Sequence, residues 1–217
     1  MKKYFLFLSL FSFLAFVIFS FIVHKDVFTK FDFDTTVKFQ DKIDTLIYNR
    51  ASFDTFLSSF SFIGSFEVIT LLIFVTFILK RSSRAYVLLF SYILLHVIEL
   101  FGKVFVTQSA PPLMFLRTEL PFSIPSSYVQ PGFSYPSGHS ARTIFITAIM
   151  LFFAIRSKKL SKEQKIIIAL VLILFDGIML VSRVSLGEHW TTDVVGGMLL
   201  GASLSLLTVF LLDRGKS

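Results

Sequence analysis

Six stretches of this 217-residue chain are apolar for close to the length that a lipid bilayer demands: about 4–23, 60–79, 85–106, 141–155, 166–181 and 192–212. A helix rises ~1.5 Å per residue and the hydrocarbon layer is ~30 Å thick, so about 20 residues cross it. Inside that layer every backbone N–H and C=O must be satisfied within the segment, which makes the helix the form these stretches take. Composition agrees, with 54% hydrophobic residues, 29 Phe and a mean hydropathy of +0.77. The expected fold is all-α: a six-transmembrane-helix bundle, one integral membrane domain over residues 1–217. The first stretch follows Met-Lys-Lys as a secretory signal would. Its apolar run is longer than the ~7–15 residues of a signal, and "IVHKDVF" offers no small-residue cleavage site, so it reads as a retained first helix.

Charge gives these spans a direction. With the N-terminus inside, the inner segments hold Lys2, Lys3, Lys80, Arg81, Arg84, Arg156, Lys158, Lys159, Lys162, Lys165, Arg214 and Lys216, twelve of the 21 Lys and Arg. The outer segment from His24 to Asp54 instead balances five basic residues with six Asp. Both termini are therefore expected in the cytoplasm and the loops 24–59, 107–140 and 182–191 outside. A formal charge of +7 carried in short clusters between apolar runs reports membrane orientation and argues against nucleic acid as a partner. All six prolines, Pro111, Pro112, Pro121, Pro125, Pro131 and Pro136, fall in loop 107–140, which reads as a stiffened, non-helical extracytoplasmic connection. Segment 24–59 is amphipathic enough for one or two helices lying at the interface. No pattern in the sequence specifies an oligomeric state.

Polar residues predicted near the membrane are costly and mark function by default. Lys103 falls near the outer end of the third span, His139 at the outer start of the fourth, Arg183 near the outer end of the fifth, and His189 with Asp193 at the outer start of the sixth. Five such residues from four helices thus share one depth. His189 and Asp193 are four apart, the spacing that stacks two side chains on one helix face, so the carboxylate holds one ring nitrogen and frees the other. Arg183 and Lys103 supply fixed positive charge, and Arg has a planar fork suited to phosphate oxygens. Ser137 and Gly138 stand where a helix N-terminus offers unpaired amides to an anion. The pattern describes a phosphate pocket with two histidines. Glu99, one turn below Lys103, and Asp176, two turns below Arg183, are placed either to aim those cations from beneath or to make simple interhelical hydrogen bonds. His24, His96 and Arg117 read as interfacial, and Gly197 with Gly201 as a close-packing pattern. Cys is absent, so thiolate nucleophiles and Cys-ligated zinc are excluded.

"GKVFVTQSAPP", "YPSGHS" and "VSRVSLGEHWTTDVVGG" resemble, in order, the three motifs of the type-2 phosphatidic acid phosphatase superfamily: K-x6-R-P, P-S-G-H and S-R-x5-H-x3-D. The second is complete as Pro136, Ser137, Gly138 and His139, and the third as Ser182, Arg183, His189 and Asp193. The resemblance implies a metal-independent hydrolase of lipid phosphates or pyrophosphates, with no cofactor and a membrane lipid as substrate. It implies His189 as the nucleophile, forming a phosphohistidine, Asp193 as its orienter, and His139 as the acid that protonates the leaving oxygen. Lys103, Arg183 and the amides near Ser137 and Gly138 would hold the equatorial oxygens. The first motif departs from the pattern, because Ala110 stands where Arg is expected. Arg142, one turn beyond His139, is the preferred replacement clamp, with Arg117 the other candidate. Undecaprenyl pyrophosphate leads the expected substrates, ahead of phosphatidylglycerol phosphate, phosphatidic acid and a lipid A phosphate.

Two other classes compete. A catalytically impaired lipid-binding or transport relative is motivated by Ala110, but His139, His189 and Asp193 all remain. A channel or secondary transporter would spread polar residues along a path through the bilayer, whereas here they collect at the outer edge.

Overall fold

The computed structural model of the chain describes residues 2–117 and 133–214. Pro121, Pro125 and Pro131 of the expected loop, Lys216, and the side chains of Lys2 and Arg214 lie outside the described residues. Eight α-helices follow one another among those described: α1 (Lys2–His24), α2 (Thr29–Leu46), α3 (Arg50–Ser61), α4 (Phe66–Lys80), α5 (Ser83–Phe105), α6 (Gly138–Arg156), α7 (Lys162–Ser185) and α8 (Thr191–Arg214). Six stretches are long and apolar enough to cross a membrane, and α2 lies between the first and second of them. The chain is a multi-pass membrane protein.

Helix starts follow side-chain chemistry. Ser65, Ser82, Ser137 and Ser161 each accept a hydrogen bond from the first turn they cap, and Gln164 completes a capping box with Ser161. Ser82, Ser137 and Ser161 start their helices a few residues ahead of the expected apolar runs, whereas Ser65 starts α4 inside its run. The second stretch differs most: the helical run long and apolar enough to cross begins at Arg50 rather than near 60, because α3 continues through a single 3-10 turn, Phe62–Gly64, into α4. Of the one or two helices expected in segment 24–59, α2 lies wholly within it and outside the six stretches, whereas α3 begins there and runs into the second.

The bundle is built around α8, which packs against α1, α5 and α6. Its apolar window is 61% buried, against 11% for α7, whose Ile166, Leu170, Ile173 and Leu174 face outward as a lipid-facing helix requires. Small residues let α8 take the centre. A Cβ on Gly197 would run into the Ser137 carbonyl and one on Gly201 into that of Ala141, so the two glycines admit the α6 backbone. On the other flank Ser9 and Ser203 each donate a hydroxyl to the other's carbonyl, at 2.9 and 3.2 Å. Phe16, Leu95, Tyr135, Phe145, Leu200 and Leu204 fill the core between these contacts. Because neighbouring spans run antiparallel, the ends of α5 and α7 meet the starts of α6 and α8 at one face.

Candidate active site

The turn from α7 into α8 carries three of the expected residues. Arg183, 1% exposed, lies in the last turn of α7 and donates Nε to Ser182 Oγ at 3.3 Å. Its Nη1 makes an ion pair with Glu188, and its carbonyl accepts the N–H groups of Glu188 and His189. Side chain and backbone of one residue thus shape the turn that presents His189. The Nη2 of Arg183 is buried and has no hydrogen-bond partner among the described residues. His189 itself precedes α8 instead of lying on it, which corrects the helical stacking expected from the four-residue spacing. The contact forms nonetheless, with His189 Nδ1 3.2 Å from Asp193 Oδ2. Its cause is capping geometry: Asp193, in the first turn of α8, reaches back so that Oδ2 accepts the Trp190 N–H at 2.9 Å and meets the ring just before it. A carboxylate only accepts, so Nδ1 carries the hydrogen and Nε2 is free to react.

The start of α6 is joined to that turn. The Ser137 N–H donates to the Asp193 carbonyl at 2.9 Å and Ser137 Oγ accepts the Ser140 N–H at 3.4 Å. This corrects the expectation that the Ser137 amide waits for an anion: it is already used, and the amides of Gly138 and His139 are the first-turn donors with no intrahelical acceptor. His139 follows directly. Lys103 on the Pro136 carbonyl, the Ser137–Asp193 hydrogen bond and the His189 contacts with Asp193 and the Arg183 carbonyl thus bring motif residues from α5, α6, α7 and the α8 turn together around it.

Lys103 and Glu99 take different partners from those expected. Lys103 Nζ donates to the carbonyls of Ser134 and Pro136, at 3.3 and 3.2 Å, and so holds the strand of chain that leads into α6. Glu99 is not its direct counter-ion. Oε2 of Glu99 meets Arg142 Nη1 at 3.3 Å and His96 Nδ1 at 3.1 Å, because α6 presents Arg142 at the depth of Glu99, one turn below Lys103. Arg142 is 5% exposed and also donates Nε to the Gly64 carbonyl at 3.2 Å. A Cβ on Gly138 would strike both the Glu99 carboxylate and Arg142, so the bare backbone leaves room for that ion pair as it stands. Asp176, expected beneath Arg183, instead accepts from Thr147 of α6 at 2.8 Å, an ordinary interhelical hydrogen bond. Ala110 is exposed. Arg117, expected to snorkel, has a side chain only 7% exposed, paired with Asp44 at 2.8 Å.

Glu188, Asp32 and Gln108 were not singled out in the sequence. Glu188 reads as an ordinary loop acid, although its place within the third motif was a usable signal. Asp32 and Gln108 bear on the site through Thr192, across distances in sequence that no spacing rule spans.

The chain is 42% identical over 79 residues to phosphatidylglycerophosphatase B of Bacillus subtilis (strain 168), a match taking in 35% of this chain and 37% of that protein. The chain thus spans little more than a third of that curated relative. Its fold resembles the crystal structure of the first transmembrane PAP2 type phosphatidylglycerolphosphate phosphatase from Bacillus subtilis, with a TM-score of 0.74 at 20% identity, over 96% of this chain and 97% of the other. It also resembles Aquifex aeolicus LpxE, with a TM-score of 0.58 at 19% identity, over 81% of this chain and 93% of the other. The model of the PAP2 superfamily matches residues 84–215, a stretch that holds every motif residue named above, and the chain belongs to that superfamily.

Proposed function

We propose that this chain, acting as one domain, hydrolyses the phosphate ester of a membrane lipid without a metal ion, through a phosphohistidine at His189. The observation that carries the reading is the His189–Asp193 hydrogen bond set beside His139 and a buried Arg183 with an unpaired nitrogen. Nε2 of His189 attacks phosphorus while the bond to the lipid oxygen breaks, and His139 gives that oxygen its proton. Asp193 keeps the hydrogen on Nδ1 and stabilises the imidazolium as it forms. Arg183 Nη2 and the Gly138 and His139 amides take the charge on the equatorial oxygens, with Lys103 adding to the field. Water, deprotonated by His139, then attacks the phosphohistidine, releasing inorganic phosphate and restoring both rings. Arg142, held by Glu99, adds a second cation where Ala110 supplies none.

Phosphatidylglycerol phosphate is the favoured substrate, supported by the names of the Bacillus relatives. Undecaprenyl pyrophosphate, which led on sequence grounds, and a lipid A phosphate are the competitors. The clustering of Lys and Arg at the opposite end of the bundle supports an extracytoplasmic site with both termini inside. The chain lacks cysteine, so single-Cys variants at Tyr48 and Lys158 test this: an impermeant thiol reagent on intact cells should label Tyr48→Cys alone.

The deciding experiment is phosphate release by purified full-length chain from phosphatidylglycerol phosphate, undecaprenyl pyrophosphate, phosphatidic acid and a lipid A phosphate in metal-free buffer. Release from the first, inhibited by vanadate and absent in His189→Ala, is the expected result. Folded protein that releases phosphate from none of them would overturn the reading.

A further inference from the structure

Helix α2 carries none of the motif residues, yet it buries three polar side chains: Asp32 at 1% exposed, Thr36 at 0% and Gln40 at 6%. They are four residues apart, so they form one stripe along the helix. An amphipathic helix at an interface turns such groups to water; this one turns them towards α7 and α8. Asp32 Oδ1 accepts the Thr192 N–H at 3.0 Å, and Oδ2 accepts the Thr192 hydroxyl at 2.5 Å and Gln108 Nε2 at 3.0 Å. Two turns along, Gln40 Nε2 donates to the Ser185 carbonyl and to that of Phe115, both at 2.9 Å.

These two residues grip the catalytic turn at both ends. Ser185 is the last residue of α7 and Thr192 the second of α8, with His189 between them and Asp193 next to Thr192. We infer that α2 is a positioning strap for this turn and that Asp32 is a positioning residue: it fixes the first turn of α8, and through Asp193 the direction of the His189 ring. Burying a carboxylate is costly, and desolvation pushes the Asp32 carboxyl above its usual range against the opposing hydrogen bonds from Thr192 and Gln108. For stability alone a well-packed apolar residue often serves as well. What a carboxylate adds is direction, since it takes an N–H and a hydroxyl from one residue and permits one register. Reaction at phosphorus is sensitive to that register, because a ~1 Å misplacement of a catalytic group costs on the order of 100-fold.

The inference rests on the phosphatase reading for its kinetic test but not for its structural one. Full-length Asp32→Ala, Asp32→Asn and Thr192→Val, with Asp213→Asn as a control at the far end, are compared in phosphate release and in amide hydrogen exchange. Asp32→Ala should lower kcat by about 30–100-fold with KM little changed. Asp32→Asn, which keeps an acceptor for the Thr192 N–H, should recover most of that loss, and exchange should rise in residues 186–194 but not in the middle of α6. Wild-type kcat with unchanged exchange in the turn overturns the inference, as does a kcat loss that Asp213→Asn reproduces at equal loss of thermal stability. If Asp32→Ala does not fold, Thr192→Val decides, since it removes the hydroxyl that Asp32 holds: full activity with unchanged exchange in residues 186–194 of that variant overturns the inference equally. A wild-type chain that releases no phosphate sinks the phosphatase reading instead, and the exchange comparison still decides the role of α2.

Discussion

The two ends of the bundle are built from the same helices and differ in how they are closed. At the site end, α2, α5, α6, the α7–α8 turn and the chain around Gln108 are cross-linked by buried hydrogen bonds between residues distant in sequence. At the opposite end the described residues offer one interhelical ion pair, Arg156–Asp213 at 2.8 Å, and a cavity of about 340 Å³ lined by Lys80, Arg84, Leu88, Ile149, Phe153 and Leu212. Apolar packing in lipid is tolerant, since helices lose little by small shifts when the tails around them are equally oily. Buried polar networks are not tolerant, because each unmade bond carries its full desolvation cost. Geometric precision is therefore concentrated where phosphorus would sit.

The sharpest way to break this comparison is at its chemical centre. His189→Ala should lower kcat by ~10⁴-fold or more, the scale of losing a nucleophile, while leaving the thermal unfolding midpoint near that of the parent. Acid-labile labelling from a ³²P-lipid should vanish with it. Arg183→Lys comes next. It keeps a charge but loses the fork that meets Ser182 and Glu188 and is proposed to hold the phosphate, and a fall of ~100–1000-fold in kcat is expected from steady-state phosphate release. A variant that keeps a tenth of parental turnover would show that Arg183 shapes the turn and nothing more.

Arg142 separates the two explanations for a buried charge. Removing it as Arg142→Ala leaves the buried Glu99 with His96 as its one hydrogen-bond partner among the described residues, so chemical unfolding should show a loss of ~3–5 kcal/mol. The double variant Arg142→Ala with Glu99→Ala removes both charges and should regain most of that stability. If Arg142 replaces the clamp missing at Ala110, turnover stays low in the stable double variant. If turnover returns with stability, Arg142 only supports the Gly138 backbone.

Much of this arrangement is legible in the sequence, for reasons that also mark where legibility ends. Apolar runs report the spans directly because lipid tests every residue of a crossing helix. His139, Arg183, His189 and Asp193 stand out because charge near a membrane needs a reason. Three helices start ahead of their apolar runs because Ser82, Ser137 and Ser161, not hydropathy, begin them. The partners of buried charges could not be read by spacing. Glu99 lies one turn from Lys103 along α5, yet helix crossing brings Arg142 closer, 43 residues away. Asp176 is likewise claimed by Thr147 and not by Arg183. Asp32 looks like one more acid on an interfacial helix until α8 places the Thr192 amide against it.

The weakest expected effect lies at the far end and tests whether looseness there is real. Asp213→Asn removes the ion pair with Arg156 while keeping the shape of the side chain. Arg156 is 31% exposed and also lies over the Phe152 ring at 5.1 Å, so its cation keeps both solvent and an aromatic face. Partly exposed pairs of this kind contribute ~1 kcal/mol or less, so the unfolding midpoint should move by little and kcat not at all. The reason is structural: α6 and α8 are already pinned to one another at the other end by Gly197, Gly201 and the Ser137–Asp193 hydrogen bond. A fall in kcat comparable with that of Asp32→Ala would mean that the bundle transmits strain along its whole length and that its two ends are not independent.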